Sequence, residues 1–73
     1  MLTQIQLAKQ QQRKAVNFER SGSFAIAKRL YSQAVIIWGR VPVGQSNQHS
    51  CTIREKHCEA MAQQLHQNDD EEI

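Results

Sequence analysis

Residues 19–38 read ERSGSFAIAKRLYSQAVIIW, and this stretch decides the fold class. Its side chains Ala27, Leu30, Tyr31, Ala34, Ile37 and Trp38 recur at steps of three and four, which places them on one face of a helix. Phe24 and Ile26 extend that face at its start. Ahead of it stands Ser21-Gly22-Ser23. Glycine closes a helix by taking the left-handed conformation, and serine caps a following one, so the triplet separates two helices. A link this short forces them to run antiparallel. Ala27 and Ala34 sit seven residues apart beside the aromatics, where their small size lets a neighbouring helix approach closely.

Working toward the N-terminus, residues from about Thr3 to Arg20 are rich in Gln, Ala, Lys and Leu, all good helix formers. Leu2, Ile5, Ala8, Ala15 and Phe18 form its apolar line, which Gln11 and Gln12 interrupt. Toward the C-terminus, Gly39, Pro42 and Gly44 mark residues 39–48 as a connector. A third helix follows, capped by Asn47 or Ser50 and running to about Gln67, with Ile53, His57, Met61 and Leu65 as its apolar line and Cys58 and Ala62 beside it. Residues 1–67 are thus expected to form one all-α domain, a helical hairpin plus a third helix. Residues 68–73 are expected to be an acidic, disordered tail. With 73 residues and only four aromatic side chains, the core is thin, and self-association is expected to complete it.

The net charge of +2 conceals an asymmetry. Residues 1–50 carry seven basic side chains against one acid, Glu19, whereas residues 51–73 carry two basic against six acidic. Such a body fits an acidic partner, nucleic acid, or its own tail, and equally serves solubility. Met1 to Leu7 has no basic residue ahead of an apolar run, so it does not read as a signal peptide. The longest apolar run, Ala34 to Trp38, is far below the roughly 20 residues of a membrane span. In a helix Cys51 and Cys58 would stand about 10 Å apart along the axis, beyond the ~7 Å reach of a disulfide. Reduced thiols in the cytoplasm are therefore expected.

No glycine-rich phosphate loop is present, and the acids gather at the C-terminal end, where no carboxylate pair is poised for acid–base work. His57 and Cys58 are neighbours in a helix and point about 100° apart, so they do not face each other as a thiol–imidazole pair. The chain reads as no enzyme. His49, Cys51, His57 and Cys58 supply four metal-binding side chains within ten residues, but two are adjacent, which makes tetrahedral closure on a helix awkward. No metal and no cofactor are expected. Lys9, Arg13 and Arg20 lie four and seven residues apart, with Lys14 beside them, and form a basic stripe that could contact phosphates. The third helix follows a long connector and carries almost no net charge, so base reading in the helix-turn-helix manner is not expected.

What remains is packing surface. Gly22, Phe24, Ala27, Tyr31 and Ala34 match the glycine–aromatic–alanine–aromatic–alanine spacing of one tetratricopeptide unit, and a single unit cannot bury its own face. Phe24, Ala27, Leu30, Tyr31, Ala34 and Trp38 are therefore the candidate partner-binding residues. The sequence leaves open whether Tyr31 and Trp38 are core or interface.

Glu19, Gly22, Phe24, Ala27, Leu30, Tyr31 and Ala34, followed by Asn47, Arg54 and Cys58, form a wider pattern. It resembles that of the ANR family, small negative regulators of AraC-type virulence activators in enteric bacteria, and spans about Ala15 to Ala60. The resemblance implies a repressor that binds an AraC-type activator directly and blocks its dimerisation or DNA binding. It also implies a link to nucleoid proteins of the H-NS type. The alternative from the residues themselves is a small DNA-binding or nucleoid-associated regulator that uses the basic first helix.

Overall fold

The fold comes from a computed structural model that describes residues 2–71, with side chains described through Gln64. It is all-α, with three helices: α1 (Gln4–Arg20), α2 (Phe24–Trp38) and α3 (Gln48–Glu71). A single 3-10 turn, Val43–Gln45, lies in the connector. α2 is central and packs against both α1 and α3.

Local chemistry sets each boundary. At the start of α1 the Thr3 hydroxyl accepts from the Gln6 backbone N–H at 3.2 Å, and the Gln6 side chain accepts from the Thr3 N–H at 2.9 Å. This reciprocal capping box satisfies two donors that the first turn leaves without partners. α1 ends in a Schellman motif: Ser23 N–H donates to Phe18 O at 2.9 Å and Gly22 N–H to Glu19 O at 3.1 Å. Gly22 takes φ +85 there, the left-handed conformation foreseen for it. Ser23 does not cap α2 through its side chain as expected; its carbonyl takes the Ala27 N–H, while Ser21 Oγ donates back to Phe18 O. A Cβ at position 22 would meet nothing within 4 Å, so Gly22→Ala tests the backbone alone. It is expected to cost roughly 1–2 kcal/mol, read as a lower urea midpoint with an unchanged slope. A variant as stable as the parent would mean the hairpin does not depend on this turn.

The core consists of Ala8, Ala15, Ala27, Tyr31, Ala34, Trp38, Val41, Cys51 and Cys58. One spacing runs through it. Ala8 and Ala15, Ala27 and Ala34, and Cys51 and Cys58 are each seven residues apart, nearly two helical turns, so each helix presents two small side chains on one side. Tyr31 and Trp38, also seven apart, fill the remaining volume. Small residues let helix axes approach, and Trp38 and Tyr31 are the largest fully buried side chains.

Two expected apolar lines differ in detail. On α1, Ala8 and Ala15 are buried and Ile5 packs against the core, but Leu2 and Phe18 are exposed. Gln11 and Gln12 do not interrupt the contact; they bond across it, Gln11 Nε2 donating to Gln33 Oε1 at 2.9 Å and Gln12 Oε1 accepting from Trp38 Nε1 at 3.2 Å. On α3 the buried line is Cys51 and Cys58, whereas Ile53 is 55% exposed and His57 lies on the surface. A steric reason fits this: α3 packs against α2, whose buried line carries Ala27 and Ala34, and small cysteines let two helices approach more closely than isoleucine would. Met61 and Ala62 are half-buried as neighbours of this line, and the Leu65 side chain lies outside the described residues.

The connector is sewn to both helices it joins. Ser46 Oγ donates to Trp38 O at 2.9 Å and accepts from Gln48 N–H at 3.1 Å, and the Gln48 side chain donates to Val35 O at 3.1 Å. Gly39 leaves room for that bond, since a Cβ there would stand 2.9 Å from Gln48 Nε2 and the Gln48 side chain would have to shift. α3 runs four residues beyond the Gln67 expected as its end, so the acidic stretch from residue 68 is helical backbone to Glu71. Residues 72 and 73 of the expected tail lie outside the described residues.

Candidate functional site

The hairpin face expected to meet a partner is the chain's own core. Ala27, Tyr31, Ala34 and Trp38 are 0–1% exposed, covered by α1 on one side and α3 on the other, and Phe24 and Leu30 are half-buried. The face of α3 that closes over them carries Cys51 and Cys58, not the expected Ile53 and His57. Tyr31 and Trp38 are thus sheltered within one chain, whereas Phe18 is exposed. The apolar side chains left at the surface include Phe18, Ile26, Ile36 and Ile53, with Ile36 61% exposed. Ile26 and Ile36 both lie off the buried line of α2, about 80° apart around the helix, and Ile26 borders Glu59 and Ala62 of α3.

The structure brings Glu19, Tyr31 and Arg54, far apart in sequence, into one polar cluster. Tyr31 Oη donates to Glu19 Oε1 at 2.7 Å, and Arg54 Nη1 donates to the same oxygen at 3.1 Å. One carboxylate thereby joins all three helices. Burial, and next the hydrogen bond to Glu19, push the Tyr31 phenol up to about 12. The signal that pointed here was compositional: Glu19 is the lone acid among the first fifty residues.

Cys51 and Cys58 are free and buried. Burial raises both thiols above their ordinary value, and the Glu19 carboxylate adds to the effect at Cys58. A thiol held protonated is a weak nucleophile and a weak metal ligand. His49 and His57 are exposed, and His57 stands edge-on to Phe24 with ring centroids 6.5 Å apart. The four residues weighed as a metal set therefore split between core and surface. No group of three or more His, Cys, Asp or Glu among the described residues is placed to hold a metal ion.

The basic stripe is brought together only in part. Lys9, Arg13 and Arg20 line one shallow groove of about 480 Å³ with Gln12, Val16 and Asn17 of α1 and Asn47, the residue just before α3. Lys14 is exposed on the same helix but does not line it. Asn47, which the sequence suggested only as a cap, is the groove's far wall. No described helix is long and apolar enough to cross a membrane. No protein-family model, curated protein or solved structure matches this chain.

Proposed function

We propose that the chain is a negative regulator of transcription that binds an AraC-type activator and blocks its dimerisation or DNA binding. It acts in the cytoplasm, as a binding module without a catalytic centre or cofactor, and an H-NS-type nucleoid protein is a second partner of the same reading. One observation supports it: the residues that resemble the ANR pattern, spread from Glu19 to Cys58, hold connected structural positions. Glu19, Tyr31 and Arg54 share one carboxylate oxygen. Gly22 holds the left-handed turn, and Ala27, Ala34 and Cys58 lie at buried helix contacts. The pattern therefore specifies the scaffold, and the partner contact falls on exposed side chains outside it, among them Ile26 and Ile36.

The test mixes purified chain with an AraC-type activator from the same host and follows activator dimer mass and operator retardation. Loss of the retarded operator band at about one chain per activator is expected. An activator that dimerises and binds its operator unchanged in excess folded chain would defeat the proposal. In the same assay Ile36→Asp is expected to leave helicity intact, because surface changes usually alter stability by less than about 0.5 kcal/mol. If Ile36 anchors the contact, the loss of about 2 kcal/mol of association weakens binding roughly 30-fold. Full activity of both Ile26→Asp and Ile36→Asp would move the contact to another face.

A further inference from the structure

The groove on α1 goes beyond the reading above, and its occupant follows from its lining. Lys9, Arg13 and Arg20 supply three cations, Gln12, Asn17 and Asn47 supply neutral hydrogen-bonding groups, and no acid lines it. Glu19, the one acid of α1, is engaged with Tyr31 and Arg54. None of the three groove cations makes an ion pair among the described residues. At 1.5 Å of rise per residue, Lys9 and Arg13 lie about 6 Å apart along the helix, and Arg13 and Arg20 about 10.5 Å. The result is a straight row of positive charge on a rigid element, about 16 Å long, with amides beside it.

A row of this kind suits a ligand whose negative charges also recur along a line. Duplex DNA presents a phosphate every ~3.4 Å along each strand, and its phosphate and sugar oxygens accept from lysine, arginine and side-chain amides alike. A single strand would call for aromatic platforms on which bases stack, and the groove contains none. An acidic amphipathic helix would call for apolar pockets, and Val16 is the only large apolar side chain here. We infer that the groove formed by α1 and Asn47 is a phosphate-binding track for duplex DNA, engaging about three phosphates and reading no bases. Affinity is governed by salt and not by sequence.

Fluorescence anisotropy of a labelled 20-bp duplex, titrated with the full chain between 50 and 200 mM NaCl, tests this directly. Three neutralised phosphates give a log–log salt slope of about −2.7, hence an affinity loss of about 40-fold over that range. Arg13→Gln is expected to bring the slope to about −1.8, and the Lys9→Gln, Arg13→Gln, Arg20→Gln triple variant to flatten it. Lys14→Gln removes the same charge from the same helix outside the groove and is expected to change neither slope nor affinity. Asn47→Asp adds an acid to the far wall and is expected to weaken binding several-fold without altering α1. Circular dichroism of each variant establishes that it is folded. A parental slope shallower than about −1, equal losses for Lys14→Gln and Arg13→Gln, or no effect of Asn47→Asp would overturn the groove. So would displacement of the duplex by polyglutamate at matched charge, since the site would then belong to an acidic protein.

Discussion

Trp38→Ala is expected to unfold the chain, not to release it from a partner. The ring is 1% exposed, its Nε1 donates to Gln12, and the same residue's carbonyl accepts from Ser46, so it ties α2 to α1 and to the connector at once. Truncating a buried tryptophan costs ~3–5 kcal/mol through lost transfer energy and the cavity left behind. A domain of this size has roughly 4–11 kcal/mol in total, at 0.05–0.15 kcal/mol per residue. The variant should therefore lose much of its helical signal at 25 °C or retain only a shallow urea transition. Trp38→Phe keeps most of the ring and gives up the N–H, so about 1–2 kcal/mol is expected. A cooperative transition at the parental midpoint for Trp38→Ala would show that the burial of this residue contributes nothing.

Glu19→Ala should follow as the next largest effect, and its size depends on which partner dominates. Arg54 is half-exposed on its side chain, so its ion pair with Glu19 is worth at most ~1 kcal/mol. The Tyr31 hydroxyl is different, because the residue is fully buried and its acceptor is a charged oxygen. Removing that acceptor leaves an unpaired donor in the core, and a total of about 2–3 kcal/mol is expected for Glu19→Ala. Arg54→Ala alone should cost less than 1 kcal/mol, and similar losses for the two would contradict this ranking.

Alkali provides an independent reading of the same cluster. Below the ordinary phenol value of 10.0 the proton stays on Tyr31 in folded and unfolded chains, and the contribution of Tyr31 is fully present. As pH rises toward the folded value of about 12, the unfolded chain releases its proton first, so stability falls across that window by up to about 2–3 kcal/mol. The thiols of Cys51 and Cys58, also raised by burial, act in the same direction. Glu19→Ala should make the alkaline loss shallower, because burial remains but the hydrogen-bonded carboxylate does not. Urea midpoints from pH 8 to 11.5 for both proteins would check this. An unchanged pH dependence would mean that Glu19 does not hold the phenol.

The membership of the core was legible where two signals coincided. Ala27, Tyr31 and Ala34 combine helical spacing with apolar character, and all three are buried. On α3 the signals diverge: hydropathy favours Ile53, whereas close approach to alanines favours Cys51 and Cys58. The seven-residue separation of the cysteines was visible as a bar to a disulfide, yet the same separation matches the alanine pairs of α1 and α2 and marks the seam. Within the candidate sites, Lys9, Arg13 and Arg20 were legible as one face of a helix. Asn47 was not, since nothing local tells how the end of a nine-residue connector lies against that face.

The sequence by itself determined the number of helices, their order and nearly all of their ends. Those features are governed by a few neighbouring residues: Thr3 with Gln6 at one start, Gly22 at the turn, and Gly39, Pro42 and Gly44 across the connector. Tertiary structure alone decided that the aromatic face of the hairpin is closed within one chain, that Gln11 and Gln12 bond across the contact, and that Glu19, Tyr31 and Arg54 meet. Local propensity acts over one or two turns, but which face of α3 turns inward depends on side-chain size at the point where two helix axes approach. That selection exists only once all three helices are in place.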